Sequence, residues 1–398
     1  LLTRGAVRKA RNYSGLLHYA PANALDHASA HLSFSRMSQP LSPSPTPNVS
    51  TSPRKAVALL SGGLDSMLAV RVVQEQGIHV EAINFYTGFC VEGHTHAIRK
   101  KEGPPKRNNA LWVAEQLGIK LHILDISEPY KEIVLRPKHG YGANLNPCWD
   151  CKVFMLQHAE AWRVKQGFDF IITGEVVGQR PMSQRVDTLP KIAVESGVED
   201  RLVRPLCAQR LDLTLPEREG WVDRTRLHGF TGRSRKPQIA LAKAYGFEDW
   251  AAPAGGCCFL TDASYTVKLR DLWKSRHKRD YELDDILLLK VGRHIRPRPH
   301  FKLIIAREEG ESRFLQGYRK QFPSLEIPDH PGPLVLIDGS DLSEDDFELA
   351  ARITARFGKA RGLAVAPVEL RMPGVTAVRV LSVPPLPENE LPKHWYIQ

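Results

Sequence analysis

The stretch KAVALLSGGLDSMLAVRVVQEQ, residues 55–76, decides how the chain is read. KAVALL is a short apolar run that breaks at Ser61-Gly62-Gly63, and it reads as a buried strand. LDSMLAVRVVQEQ then has the apolar spacing of a helix. Strand, glycine turn and helix start, in that order, make an anion site. Glycine lets the backbone approach a ligand closely, and the first N–H groups of a helix have no partner within it. A phosphate is the expected occupant.

The same alternation extends from Lys55 to about Leu206 through HVEAINFY, NNALWVAEQL, KLHILDIS, VFMLQHAEAWRVKQ, FDFIITG and RLVRPL. Such a pattern makes βαβ units, so the expected fold is α/β, a Rossmann-like parallel sheet with helices on both faces. Ligands then sit at the carboxyl ends of the strands. Ser61, Gly62, Gly63, Asn84 after the second strand, the Cys148 loop and Gly174 after FDFIIT all fall there or in long connections. After Asp262 the pattern restarts as a smaller α/β unit. SYTVKLRDLWKSR, ESRFLQGYRKQF and EDDFELAARITARF read as helices; ILLLKVGRHI, HFKLIIA, PLVLID and AVRVLSV read as strands. The expected domains are residues 55–262 and 263–398.

The 398 residues are 42% hydrophobic and 25% charged, enough apolar material for two or three globular units. No apolar run approaches about 18 residues, so no membrane span is expected. Residues 1–54 are Ser-, Ala- and Pro-rich, end in QPLSPSPTPNVSTSP and lack periodicity, so they read as a disordered extension. Seven Lys or Arg against one acid, Asp26, within the first 55 residues place more than half of the net charge of +11 there. An organelle transit peptide, a translated upstream region and a fragment boundary are the alternatives for this segment, which has no secretory apolar core.

Six cysteines in a chain of this length without an export signal point to metal ligands or redox nucleophiles in a reducing, cytoplasmic compartment. NLNPCWDCKVF holds Cys148 and Cys151 as C-x-x-C at a helix entry, in a polar loop marked by Pro147 and Asp150. Two thiolates on one turn bind one metal or cluster, or form a redox pair. PAGGCCFLTD adds Cys257 and Cys258 after a Gly pair. Three Cys ligands, Cys148, Cys151 and Cys257 or Cys258, leave one position open, as an iron–sulfur cluster that binds sulfide requires. Cys90 and Cys207, each isolated, read as ordinary buried thiols.

S-G-G-x-D-S is more specific than a glycine pair. Ser61 and Ser66 add hydroxyl donors, and Asp65 is tolerated beside phosphates if Mg²⁺ bridges them. These residues resemble the PP-loop ATP pyrophosphatase superfamily, with its adenine nucleotide alpha hydrolase-like fold. The resemblance implies ATP bound with Mg²⁺ at Ser61, Gly62, Gly63, Asp65 and Ser66, and a substrate oxygen adenylated with release of pyrophosphate. Topology alone puts the adenine near Asn84 and Phe85 and the ribose near Gly174. With the C-x-x-C and the later Gly-Gly-Cys, the chain is similar to the tRNA thiolases over about Lys55 to Asp262; TGEVVGQRPMSQ and TGRSRKPQIALAK resemble a thiouridylase group. That similarity implies tRNA as partner and a sulfur donor protein or sulfide. It implies one of two sulfur mechanisms: a [4Fe–4S] cluster on Cys148, Cys151 and Cys257 or Cys258, or a persulfide and disulfide partner formed by Cys148 or Cys151 with Cys257. The triple-Cys pattern favours the cluster.

Basic residues agree with an RNA partner. GQRPMSQR, GFTGRSRKPQ and GRHIRPRPHFK are irregular and interleave cations with aromatic or His side chains, as phosphate contacts and base stacking on an unpaired loop require. VGRHIRPRPHFKLIIAREEGE resembles the small RNA-binding domain of fibronectin-binding-type quality-control factors; a packing or dimerisation module, making the chain a homodimer, is the alternative. Two other functions compete: a PP-loop synthetase or amidotransferase acting on a small metabolite, and a non-catalytic RNA-binding protein. The first leaves the thiols unexplained, and the second predicts damage to a loop that is intact.

Overall fold

A computed structural model describes residues 53–91, 107–251 and 257–398. The expected disordered extension lies outside these residues except for Pro53 and Arg54, as do Gly255 and Gly256.

The first sheet is built from β1 (Lys55–Leu59), β2 (His79–Tyr86), β3 (Leu121–Asp125), β4 (Phe170–Thr173) and β5 (Leu202–Val203). Its order is β3-β2-β1-β4-β5 and every pairing is parallel. Helices α1 (Leu64–Gln74), α2 (Asn109–Leu117), α3 (Ser127–Leu135), α4 (Cys148–Gln166) and α5 (Thr188–Glu195) provide the crossovers. Strand residues alternate between two buried faces. Ala56, Ala58, Phe170 and Ile172 pack with Leu68, Val72 and Val113 of α1 and α2, whereas Val57 and Ile171 pack with Leu156 and Ile192 of α4 and α5. The strand order reverses between β1 and β4. Connections leave that point in opposite directions, and the crevice this opens at the strand ends lies beside Ser61–Gly63.

Beyond β5 come α6 (Lys236–Ala244), α7 (Ala263–Ser275) and α8 (Leu283–Leu288). The second sheet contains β6 (Arg293–Arg298), β7 (Phe301–Ile305), β8 (Ser324–Glu326), β9 (Val335–Gly339), β10 (Ala366–Arg371) and β11 (Val378–Val383), with α9 (Glu309–Gln316) and α10 (Glu344–Arg356) between them. Its order is β11-β10-β8-β9-β7-β6, antiparallel throughout. The smaller domain therefore contains helices and strands as expected, joined by antiparallel rather than crossover pairing.

The single strand expected over ILLLKVGRHI is instead the end of a helix, a turn and a strand start. A capping box at Glu282 and Asp285 nucleates α8, and Gly292 at φ +71° turns the chain into β6. Residues on both sides of Asp262 share one apolar cluster: Phe89, Tyr130, Leu145 and Leu260 pack with Tyr265, Leu269, Tyr281 and Ile286. Among the described residues no helix is long and apolar enough to cross a membrane.

Candidate active site

Gly62 has φ +77°, and a Cβ there would stand 2.6 Å from Ala110 N at the start of α2. Only glycine fits this turn. Gly63 is the N-cap of α1 and supplies no side-chain cap, which leaves the first-turn amides open to an anion. Ser66 Oγ donates to Gly63 O at 2.8 Å, and Ser61 Oγ lies 3.4 Å from it. A Cβ on Gly174 would meet Asp65 C and Ser66 N at 2.5 Å, so β4 ends directly against the loop backbone. Asn84 lies inside β2, not after it, opposite Ile123 of β3. Its Nδ2 donates to Leu60 O at 2.7 Å and fixes the entry to the turn.

Asp65 faces two later segments. Its Oδ2 accepts from Gln179 Nε2 at 2.7 Å and lies 3.5 Å from an Arg235 guanidinium nitrogen. Its Oδ1 is buried and has no hydrogen-bond partner. An orphaned carboxylate oxygen at a phosphate-type loop fits Mg²⁺, a hard cation that takes oxygen donors. Backbone bridges Val177 to Thr231 and Gly63 to Ala251 bring TGEVVGQR, TGRSRK and the segment leading to the cysteines to this one loop.

The distant thiols converge. Leu145 N donates to Leu260 O at 3.2 Å and Asn144 Nδ2 to Thr261 O at 2.7 Å, docking the C-x-x-C loop on the second cysteine segment. Buried Asp150 accepts from Lys138 N and His139 N, both at 3.1 Å, and holds that loop in shape. Cys148 Sγ donates to Ser183 Oγ at 3.3 Å. Burial pushes the Cys151 thiol up to about 12. The hydrogen bond from Cys258 holds the Cys257 thiol down at about 5, helped by the positive charges of Arg180 and Lys152. Exposed Cys257 and its neighbour Cys258 thus share one hydrogen bond, which lowers the Cys257 thiol and raises that of Cys258.

Arg180, next to Gln179, places its positive charge near Cys257. Lys152, next to Cys151, adds positive charge near Cys257 and lies 3.5 Å from Glu175. Glu175 also receives Arg204 Nε at 3.0 Å. Burial would raise its carboxyl, but Lys152, Arg204 and Thr173 outweigh that and hold it at about 2.

Among the described residues, no group of three His, Cys, Asp or Glu side chains is placed to hold a metal ion. The expected metal set of Cys148, Cys151 and Cys257 does not form such a group in this arrangement. Cys151 turns into the apolar cluster, 4.0 Å from Met155 Sδ, whereas Cys257 stands at the surface. The thiols are neighbours without forming a ligand set, and the [4Fe–4S] group does not fit these side chains as they stand.

The tRNA methyl transferase HUP domain family matches residues 54–192, the segment that carries the loop, β1–β4 and the C-x-x-C. Residues 54–192 are thus similar to a HUP domain of the kind found in the MnmA thiouridylases. The NFACT protein RNA binding domain family matches residues 292–396. The HUP domain is similar to the tRNA-specific 2-thiouridylase MnmA of Sulfurimonas denitrificans, 29% identical over 128 residues, covering 31% of this chain and 35% of that protein. The MnmA of Campylobacter curvus is 31% identical over 127 residues, covering 31% and 35%. A probable tRNA sulfurtransferase of Thermococcus kodakarensis is 28% identical over 152 residues, covering 38% and 36%. The chain spans about a third of the length of these curated relatives.

Several residues at the site carried no separate signal in the sequence. Gln179, Arg180 and Arg235 sit within the two basic loops, and Lys152 is hidden by its cysteine neighbour. Beside the domain, Gln209, Arg210, Thr225, Arg226, His228 and Phe230 help line an open cleft of about 780 Å³. His228 stacks on Phe230 there with centroids 4.7 Å apart.

Proposed function

We propose that the protein is an ATP-dependent RNA sulfurtransferase acting on tRNA: it adenylates a nucleobase carbonyl and replaces the oxygen with sulfur. The observation that carries this reading is the exposed Cys257 thiol within the positive field of Arg180, one residue from the Gln179 that grips Asp65.

The Ser61–Ser66 turn and the α1 amides bind the phosphates of ATP. Asp65 would hold Mg²⁺, which neutralises phosphate charge when bound. The base oxygen attacks the α-phosphorus and pyrophosphate leaves, with Arg235 and the loop amides offsetting the charge that builds there. The oxygen, now part of an adenylate, is a good leaving group. Cys257 carries the incoming sulfur as a persulfide whose terminal sulfur attacks the base carbon and expels AMP. Persulfide chemistry suits this site better than a cluster, because it needs an exposed thiolate with a second thiol in contact. Arg210, Arg226 and the basic strand β6 supply RNA contacts.

A small-metabolite synthetase shares the loop but has no use for the paired thiols. RNA-dependent release of pyrophosphate separates the two. Stimulation by unmodified tRNA, lost on Asp65→Ala, supports the proposal; ATP cleavage indifferent to RNA and driven by a small carboxylate contradicts it.

A further inference from the structure

Cys90, expected to be an ordinary thiol, stands directly opposite Cys258 in a short antiparallel bridge. Phe259 N donates to Phe89 O at 2.9 Å. Phe89 and Phe259 are therefore the hydrogen-bonded pair, and Cys90 and Cys258 are the adjacent non-hydrogen-bonded pair. In such a pair the Cα atoms lie about 4.5 Å apart, with both side chains on one face. That separation is within the roughly 4.4–6.8 Å a disulfide spans. Both thiols are free.

The second domain fixes this geometry. Gly88, at φ +81°, is pressed so closely by α8 that a Cβ would stand 2.7 Å from Ile286 Cδ1. Lys290, just beyond α8, reaches back and donates from Nζ to Gly88 O at 2.5 Å and to Cys90 O at 3.4 Å. The same amine lies 5.0 Å over the ring of Phe259, the residue after Cys258. A cation is thus placed between the two segments that carry Cys90 and Cys258, whose sulfurs now rest against Thr87 Oγ1 and Asn146 Oδ1 and need only a rotamer change at each to meet.

We propose that Cys90 is the resolving thiol of the sulfur-transfer site, forming a transient disulfide with Cys258 after Cys257 has delivered its sulfur; this rests on the sulfurtransferase reading above. Once the persulfide has displaced AMP, the base and Cys257 are joined by an S–S bond. Cys258 attacks Cys257 Sγ, and that bond breaks toward the base. The base sulfur becomes a thiocarbonyl, and a ring nitrogen takes up the proton that Cys258 gives up. The adjacent-residue disulfide so formed is strained. Cys90 attacks Cys258 Sγ, its proton passes to the departing Cys257 sulfur, and the cross-strand disulfide remains. A dithiol reductant of the thioredoxin class reduces it for the next cycle. The Lys290 ammonium offsets negative charge at the attacking Cys90 sulfur.

The test begins with the wild-type full chain, without RNA. It is treated with diamide, a dithiol oxidant, alkylated and mapped by mass spectrometry under non-reducing conditions. A Cys90–Cys258 peptide should be the main disulfide, formed several-fold more slowly in Lys290→Met and at near wild-type rate in Lys290→Arg. Recovery of Cys90 fully alkylated while Cys258 pairs with Cys151 or stays with Cys257 overturns the proposal. In a second arm, with tRNA, ATP and a persulfide donor, Cys90→Ser should complete one turnover and accumulate the Cys257–Cys258 disulfide. Sustained turnover by that variant at the wild-type rate also overturns it. Because the mapping arm needs no RNA, a chain that forms the cross-strand disulfide but never thiolates RNA would refute the functional reading and, with it, the role given to Cys90.

Discussion

Gln179 Nε2 donates to Asp65 Oδ2 at 2.7 Å, while the other carboxylate oxygen of Asp65 is buried without a partner. One oxygen positions the side chain and, on the proposed function, the other would take Mg²⁺. Asp65→Asn should therefore lower pyrophosphate release by about 100-fold or more, the scale of losing one electrostatic group at a phosphate centre. Gln179→Ala, which only loosens the carboxylate, should cost about tenfold and raise the Mg²⁺ concentration needed for half-maximal rate. Steady-state pyrophosphate assays across a Mg²⁺ series measure both.

Gly174→Ala places a methyl 2.5 Å from the backbone of Asp65 and Ser66. Backbone cannot swing aside as a flexible side chain can, so the loop must shift. The variant should lose about 1–3 kcal/mol in denaturant unfolding, the usual cost of overpacking. It should also lose ATP binding beyond what the stability change explains, as measured by calorimetric titration.

Glu175 links the β4 end to both Arg204 and Lys152 in a buried site. Glu175→Ala leaves buried Arg204 and partly exposed Lys152 short of their partner and should destabilise the fold by about 3 kcal/mol. The sign of its pH dependence follows from the lowered carboxyl, near 2 in the fold. An unfolded Glu titrates at about 4.3. Its stabilisation is fully present above that value and is lost as pH falls from about 4.3 toward 2. Thermal unfolding between pH 5 and 2 should show a shallower acid decline in Glu175→Gln than in the wild type.

Arg210 donates to Gly229 O and Arg226 to Glu75 O, acceptors that carry no formal charge. Removing both should weaken tRNA binding at low salt and flatten its salt dependence by about 0.7 for every single-strand phosphate that is no longer neutralised. Filter binding from 50 to 200 mM salt, about the range over which such charges are screened, reads this slope. An unchanged slope would remove the cleft from the RNA surface.

The parallel sheet was legible because KAVALLSGGLDS carries a strand, a turn that only glycine can make and a helix start within one short run. The antiparallel domain was less so. ILLLK is apolar enough for a strand or a helix, and Glu282 with Asp285, a capping signal, is the feature that distinguishes them. Asn84 reads as lying beyond its strand because the polar residue in HVEAINFY looks like an ending, whereas its amide is held by Leu60 O. The gathering of Cys148, Cys151, Cys257 and Cys258 was readable from motif spacing. Their failure to form a ligand set was not, since side-chain direction depends on packing around Tyr130 and Met155. Cys90 reads as an isolated thiol because its partner lies in another part of the chain, across a bridge that no local pattern announces.

Sulfur insertion by thiols next to an adenylating loop is the step on which the proposed function stands. Nucleoside mass spectrometry of tRNA incubated with the purified chain, ATP, Mg²⁺ and a persulfide donor tests it most directly. One thiolated base is expected, absent with Asp65→Ala and absent with Cys257→Ala. Conversion of ATP to AMP and pyrophosphate with no sulfur in the RNA, or thiolation undiminished in Cys257→Ala, would contradict it.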